Sequence, residues 1–217
     1  MVFEQDYFNG RKYSFKEELV KRYVLEALHW ASKTLNENLL AGEGRSALDV
    51  GCAYGYTSRV LAALGYETFG VDISTWGTKQ AKNQSNNQFL VCDAQTSMPF
   101  KAGTFDLVTC FDVLEHLPYP EKALMCMFEA SKGALVCTTP NKKVEKPVRK
   151  LMRDFDETHI NAKTPVQWQK CVTSNLECKA FQLATFYDLA VKFGGKLFFK
   201  SFRIPTYGLT VRIAVGK

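Results

Sequence analysis

The apolar positions of this chain change period along its length. Leu19, Val20, Tyr23, Val24, Ala27, Trp30, Ala31 and Leu35 recur at helical spacing, which predicts one amphipathic helix over 15–35. The preceding Ser14-Phe-Lys-Glu17 has the form of a capping box, with Ser14 as N-cap and Glu17 reaching back. Beyond the Glu43-Gly44 pair the apolar runs become short and alternate with helical patterns. Strands are predicted over 47–50, 68–71, 89–92, 105–111 and 134–137. Helices are predicted between them, over 57–64, 76–83 and 121–131.

Short strands that are apolar on both sides, alternating with helices, specify an α/β fold with a parallel sheet covered on both faces. Right-handed crossovers make it a doubly wound, Rossmann-like sheet whose ligands sit at the carboxyl ends of the strands. After Pro140 the alternation lapses into a basic connection, and Thr164-Pro165 opens a helix to about residue 173. Residues 209–215 alternate again and predict a last, antiparallel strand with one face wet. Lys196-Leu-Phe-Phe-Lys-Ser-Phe-Arg203, set off by Gly194-Gly195 and Pro205, reads as an insertion. Phe198, Phe199 and Phe202 cannot all share one face of a strand, so they are expected to line an acceptor pocket or meet a partner. Local packing of the segment is the alternative. The chain reads as one domain over 1–217: a leader over 1–44, a core over 45–141, and a substrate-facing part over 142–217.

Composition narrows the class. With 46% hydrophobic and 23% charged residues the chain matches soluble globular proteins, and no apolar run approaches the roughly 18 residues of a membrane span. The first residues carry acids and lack an apolar segment, so no secretory signal is expected. Seven cysteines without a C-x-x-C pair argue against a zinc knot or disulfide framework. Cys92, Cys110 and Cys137 lie in apolar runs as small buried thiols, and a reducing cytoplasm is the expected location. The net charge of +6 is concentrated in Lys142, Lys143, Lys146, Arg149, Lys150 and Arg153, against the single acid Glu145. That stretch suits an acidic substrate or a phosphate backbone, or simply a solvated helix face.

The chemistry centres on Ser46-Ala-Leu-Asp-Val-Gly-Cys-Ala-Tyr-Gly-Tyr-Thr57, a strand, a tight turn and a helix start. A dinucleotide fingerprint would need G-x-G-x-x-G, but Ala53 and Tyr56 occupy the second and third glycine positions. No tyrosine has a lysine four residues on, and no P-loop is present. What remains is Asp49-Val-Gly-Cys-Ala-Tyr-Gly55, then Val71-Asp72 and Cys92-Asp93-Ala94 closing the next two strands. Asp112-Val-Leu-Glu-His-Leu-Pro118 follows the fourth. With these features the chain resembles the class I S-adenosylmethionine-dependent methyltransferases, most closely the small-substrate enzymes with an L-E-H-L/I stretch after strand four. The resemblance covers about 48–141, and Ala53 departs from it where the family's loop has its middle glycine.

The resemblance implies a cofactor site of Asp49, Gly51, Cys52, Ala53, Gly55, Asp72, Ile73, Asp93, Ala94 and Phe111. The helix after Gly55 suits the methionine carboxylate. Backbone carbonyls around Gly51, with Asp49 behind them, suit the ammonium. Asp72 lies where an acid accepts the ribose hydroxyls, Asp93 suits the adenine amino group, and Ile73 and Phe111 offer apolar faces. Methyl transfer to a protonated nucleophile needs a base and no metal. Glu115 and His116 follow strand four, and His159 lies in the family's substrate-facing loop; these three are the catalytic candidates. The family's aromatic leaders fold over the cofactor, which implies a lid here, with packing outside the sheet as the alternative.

The acceptor motifs of amino-methylating and cytosine-C5 nucleic-acid enzymes are absent: Asp112-Val-Leu-Glu115 replaces [DNS]-P-P-[FYW], and no proline precedes a cysteine. A small, possibly anionic molecule is therefore the leading acceptor. RNA, through the six basic residues, is the alternative, and a non-catalytic module that only binds the cofactor is the third reading.

Overall fold

The computed structural model describes residues 3–10, 17–96, 98–152 and 157–217. The expected Ser14 cap, the leader residue Tyr13 and the basic residue Arg153 lie outside the described residues.

A short helix α1 (Gln5–Gly10) and the long α2 (Glu17–Leu35) precede the alternating core. The core runs β1 (Ser46–Val50), α3 (Tyr56–Ala63), β2 (Glu67–Asp72), α4 (Thr75–Gln84), β3 (Gln88–Val91) and β4 (Phe105–Phe111). A single-turn 3₁₀ segment, Leu114–His116, leads to α5 (Pro120–Ala130) and β5 (Ser131–Pro140). Then follow α6 (Lys142–Met152), α7 (Pro165–Asn175), β6 (Ala180–Phe193), β7 (Lys196–Arg203) and β8 (Thr210–Gly216). The strands form one sheet in the order β3-β2-β1-β4-β5-β8-β6-β7. The five core strands pair in parallel, whereas β8 pairs antiparallel with both β5 and β6.

Neighbouring residues on each central strand enter opposite cores, as the pleat requires. Leu48, Val108, Leu135 and Ile213 pack with Leu124, Met127 and Trp168 of α5 and α7. Ala47, Leu107, Val136 and Ala214 pack with Val24, Leu28 and Ala31 of α2 and with Val60 and Leu61 of α3. The doubly wound, mainly parallel sheet covered on both faces is thus as expected. Cys110 and Cys137 are buried, while Cys92 at the end of β3 is only partly so; all seven cysteines are free.

Three features extend the sequence reading. The basic connection after Pro140 contains α6, which accommodates Pro147 inside it. β5 continues through Pro140, because Thr210 of β8 extends the pairing to it. Strand β6 went unread, and Lys196–Arg203 is no insertion but the edge strand β7, packed locally as a hairpin with β6. β6 pairs with β8 over 180–186, where every residue except Gln182 is buried or half-buried and the polar alternation is hidden. From Tyr187 to Phe193 it pairs with β7 alone, so a two-stranded ribbon runs on beyond the carboxyl edge of the sheet for roughly 20 Å.

Candidate functional site

The turn after β1 is built by its backbone. Gly51 has φ 77°, and a Cβ there would stand 2.1 Å from Val113 Cγ2, so only glycine lets the strand end pass under the β4 loop. The amides of Gly51 and Cys52 both donate to the Val71 carbonyl, at 2.8 and 3.0 Å, tying the turn to β2. Ala53 takes φ 45° and Gly55 φ 72°. Ala53 thus occupies the left-handed region, a conformation costing an L-residue about 1–2 kcal/mol. Gly55 has no side chain to cap α3, so the positive end of that helix faces the turn.

The three strand-end acids differ in environment. Asp49 is buried beneath the turn; Ser58 Oγ donates to it at 2.6 Å and Thr109 Oγ1 at 3.4 Å. Burial, together with the Asp72 charge, pushes its carboxyl up to about 7 despite those hydrogen bonds. Asp72 closes β2, but its carboxylate is engaged: Oδ2 accepts the Ala53 N–H at 2.8 Å and Oδ1 the Ser74 N–H at 2.7 Å. It therefore clamps the glycine turn to the start of α4, and each oxygen retains a further lone pair. Asp93 accepts from the backbone and side-chain amides of Gln95. Of the apolar candidates, Ile73 is 49% exposed, Ala94 is buried, and Phe111 is half-buried with its ring edge-on to Tyr23. All of these positions lie at the carboxyl edge of the sheet.

The two histidine candidates from separate loops meet. The rings of His116 and His159 stand edge-to-face, 4.6 Å between centroids. Thr158 holds His116 Nδ1 through its hydroxyl at 2.8 Å, and the Asn161 amide donates to the Glu115 carbonyl at 2.8 Å, fastening the second loop to the first. His159 Nδ1 pairs with Glu145, whose other partner is Arg149 at 2.8 Å; the guanidinium also lies 3.3 Å from His159 Nε2. Burial pushes the Glu145 carboxyl up, but the hydrogen bond and charge of His159, with Arg149, outweigh it and hold the carboxyl below its ordinary value.

Glu115 is fully buried, and Thr139 Oγ1 donates to its Oε2 at 3.2 Å while Oε1 lacks a hydrogen-bond partner. Burial, then the nearby Asp112 charge, pushes its carboxyl well up. Glu115 therefore sits as an internal group behind the imidazoles, its Oε1 3.9 Å from His116 Nε2. Donor atoms of Glu115, His116 and His159 come within 4.8 Å of one another, with the Arg149 guanidinium beside them.

The leader crosses this edge. Glu4 accepts from Thr75 and Trp76 at the start of α4, at 3.1 and 2.9 Å. Phe3 stands edge-on to His116, 5.5 Å between centroids, and Phe8 packs with Ala53, Tyr54 and Tyr56. Sequence reasoning missed Glu4, Glu145, Arg149 and Thr158 as site residues. The one available signal was that Glu145 is the lone acid of the basic stretch. On α6, Lys142, Lys143, Lys146 and Lys150 are exposed, whereas Arg149 turns inward. A surface hollow lined by Arg45, Asp106 and Lys132 opens at the opposite, amino edge.

Comparison with known proteins follows the same lines. A family profile described as "Methyltransferase domain" matches residues 17–175. The chain is 33% identical over 143 residues to a ubiquinone biosynthesis O-methyltransferase of Psychrobacter arcticus, a match covering 62% of this chain and 54% of that protein. The chain thus spans about half the length of that curated relative. Among solved structures, an S-adenosylmethionine-dependent methyltransferase from Archaeoglobus fulgidus superposes with a TM-score of 0.71 at 19% identity, covering 97% of this chain and 99% of that one. Magnesium protoporphyrin IX methyltransferase from Synechocystis PCC 6803, with S-adenosylhomocysteine bound, gives 0.61 at 18% identity, covering 98% and 97%. At these identities the structural likeness is one of fold.

Proposed function

The chain belongs to the class I S-adenosylmethionine-dependent methyltransferases, and on that premise we propose that it methylates an oxygen of a small, anionic molecule by in-line displacement. The carrying observation is the His116–His159 contact at the carboxyl edge, which supports an imidazole base beside the end of β4. The cofactor supplies a methyl group on a cationic sulfur and leaves as a neutral thioether.

The donor set fits that cofactor. The remaining lone pairs of Asp72 suit its ribose hydroxyls, Asp93 its adenine amino group, and the open N-terminus of α3 its carboxylate. Carbonyls of the Gly51–Gly55 turn, with the Asp49 carboxylate beneath, suit the ammonium. Ile73, Ala94 and Phe111 contribute apolar surface, and Cys52 and Ala53 contribute backbone. His116, its ring fixed by Thr158, takes the acceptor proton, while His159 with Glu145 and Arg149 positions it. Arg149 and the exposed lysines of α6 favour an anionic acceptor. The leader acts as a lid joining the two halves, with Glu4 on α4 and Phe3 on His116, and excludes water during transfer.

Oxygen is favoured as the acceptor atom because the protein matched over 143 residues is named an O-methyltransferase. Labelled S-adenosylmethionine offered with small hydroxyl compounds, with and without a carboxylate, is the test. Label in methyl ethers, more with the anionic members, is expected; label in amines alone would sink the proposal. RNA as acceptor draws on the exposed lysines of α6, and salt-dependent retention on RNA together with label uptake would support it instead.

A further inference from the structure

The β6–β7 ribbon has two unlike faces. Cross-strand partners Asp188 and Ser201 both bond Arg212 from beneath, at 2.6 and 2.8 Å, on the side where α2 packs against β6 and β7. The register places Tyr187 opposite Phe202, Leu189 opposite Lys200, Val191 opposite Phe198 and Phe193 opposite Lys196 on the other face. All six of its apolar side chains are exposed, Phe193 at the tip by 77% and Phe198 by 58%. Two lysines interrupt them, and no acid shares the face. At the foot of the ribbon the Lys143 ammonium of α6 sits over the exposed Tyr207 ring, 4.4 Å from its centroid, so the basic surface continues from ribbon to helix.

We propose that this outer face of the ribbon docks the protein onto an anionic lipid surface. An aromatic and aliphatic face with a projecting Phe193 suits shallow burial at the headgroup boundary. Lys196 and Lys200 can lay their stems along that apolar surface and bring their ammonium groups to lipid phosphates. Self-association is disfavoured by the same inventory: a two-fold contact through this face would oppose lysines to lysines with no carboxylate to pair them. Docking is peripheral, since among the described residues no helix is long and apolar enough to cross a membrane. The inference stands independently of which acceptor is methylated.

Cosedimentation with phosphatidylcholine vesicles, with or without phosphatidylglycerol, tests it. Binding to the phosphatidylglycerol-containing vesicles alone is expected. Phe193→Ser with Phe198→Ser, and separately Lys196→Glu with Lys200→Glu, should each lower the partition roughly tenfold or more. Thermal midpoint and S-adenosylhomocysteine affinity should stay unchanged in both. Wild-type protein that ignores the anionic vesicles, or binds both compositions alike, would overturn the proposal. So would undiminished binding by folded variants, or a wild-type dimer that the phenylalanine substitutions split without any vesicle binding. Retention on RNA without vesicle binding would likewise assign the basic surface to another partner.

Discussion

His159 stands nearly perpendicular to His116, with 87° between the ring planes and 4.6 Å between centroids. The two imidazoles come from loops after different strands, and each loop is fastened to the other by Thr158 and Asn161. Their roles differ because their partners differ. His116 meets a hydroxyl and the leader's Phe3, whereas His159 is locked between Glu145 and Arg149.

His116→Ala should therefore lower kcat by about 10²–10⁴-fold, the range of a lost general base, with S-adenosylhomocysteine affinity unchanged by calorimetry. His159→Ala should act less strongly and through position: it removes the ring that packs on His116 and leaves Glu145 paired with Arg149 alone. A kcat loss smaller than that of His116→Ala, with S-adenosylhomocysteine affinity again unchanged, is expected. Equal losses in both variants would refute the division of roles.

Asp72 clamps two backbone amides, so its removal should do more than weaken ligand binding. Asp72→Ala is expected to cost about 1.5–3 kcal/mol of S-adenosylhomocysteine affinity. It should also cost about 1–3 kcal/mol of stability, from stranded buried N–H groups at Ala53 and Ser74. Asp72→Asn, which offers those amides one acceptor oxygen, should recover part of the stability and little of the affinity. Denaturant melts and titration of the same samples separate the two effects.

Much of this arrangement was legible in the chain. Short apolar strands with acids at their ends placed Asp49, Asp72 and Asp93 on one edge, because a parallel sheet puts every such end on the same side. The resemblance implied that the leader folds over the site, but its particular contacts were not legible, because nothing in the spacing of Phe3 and Glu4 marks a partner at His116 or Trp76. Glu145 and Arg149 were hidden for a related reason: in a basic stretch they read as solvent charges, and only the return of the chain at His159 gives them an inward partner. β6 escaped notice because Phe181 and Leu183 pack on one side, while Ala184 and Phe186 are covered on the other. A strand with both faces apolar does not alternate.

Ala53 carries strain that glycine would release. Its φ of 45° costs about 1–2 kcal/mol for an L-residue, while its methyl group, buried with Phe8 and Tyr54, returns about 0.8 kcal/mol. Ala53→Gly should then stabilise the domain by about 0.2–1.2 kcal/mol, seen as a higher thermal midpoint with cofactor affinity retained. A lower midpoint would mean that the methyl contact outweighs the backbone strain.

Asp49 makes both stability and cofactor affinity depend on pH near neutrality. Its carboxyl is pushed from 3.8 to about 7, chiefly by burial, so the folded protein holds this proton where the unfolded chain has lost it. Stability should accordingly fall as pH rises through the window from about 4 to about 7. The full effect is on the order of 4 kcal/mol. Asp49→Asn should flatten that slope. A bound ammonium and sulfonium favour the ionised carboxylate, so S-adenosylmethionine binding just below pH 7 should release a proton and tighten as pH rises. Calorimetric enthalpies measured in buffers of different ionisation enthalpy should differ for wild type and coincide for Asp49→Asn. Buffer-independent enthalpies in the wild type would show that Asp49 stays in one protonation state throughout, and would remove it from the ammonium's surroundings.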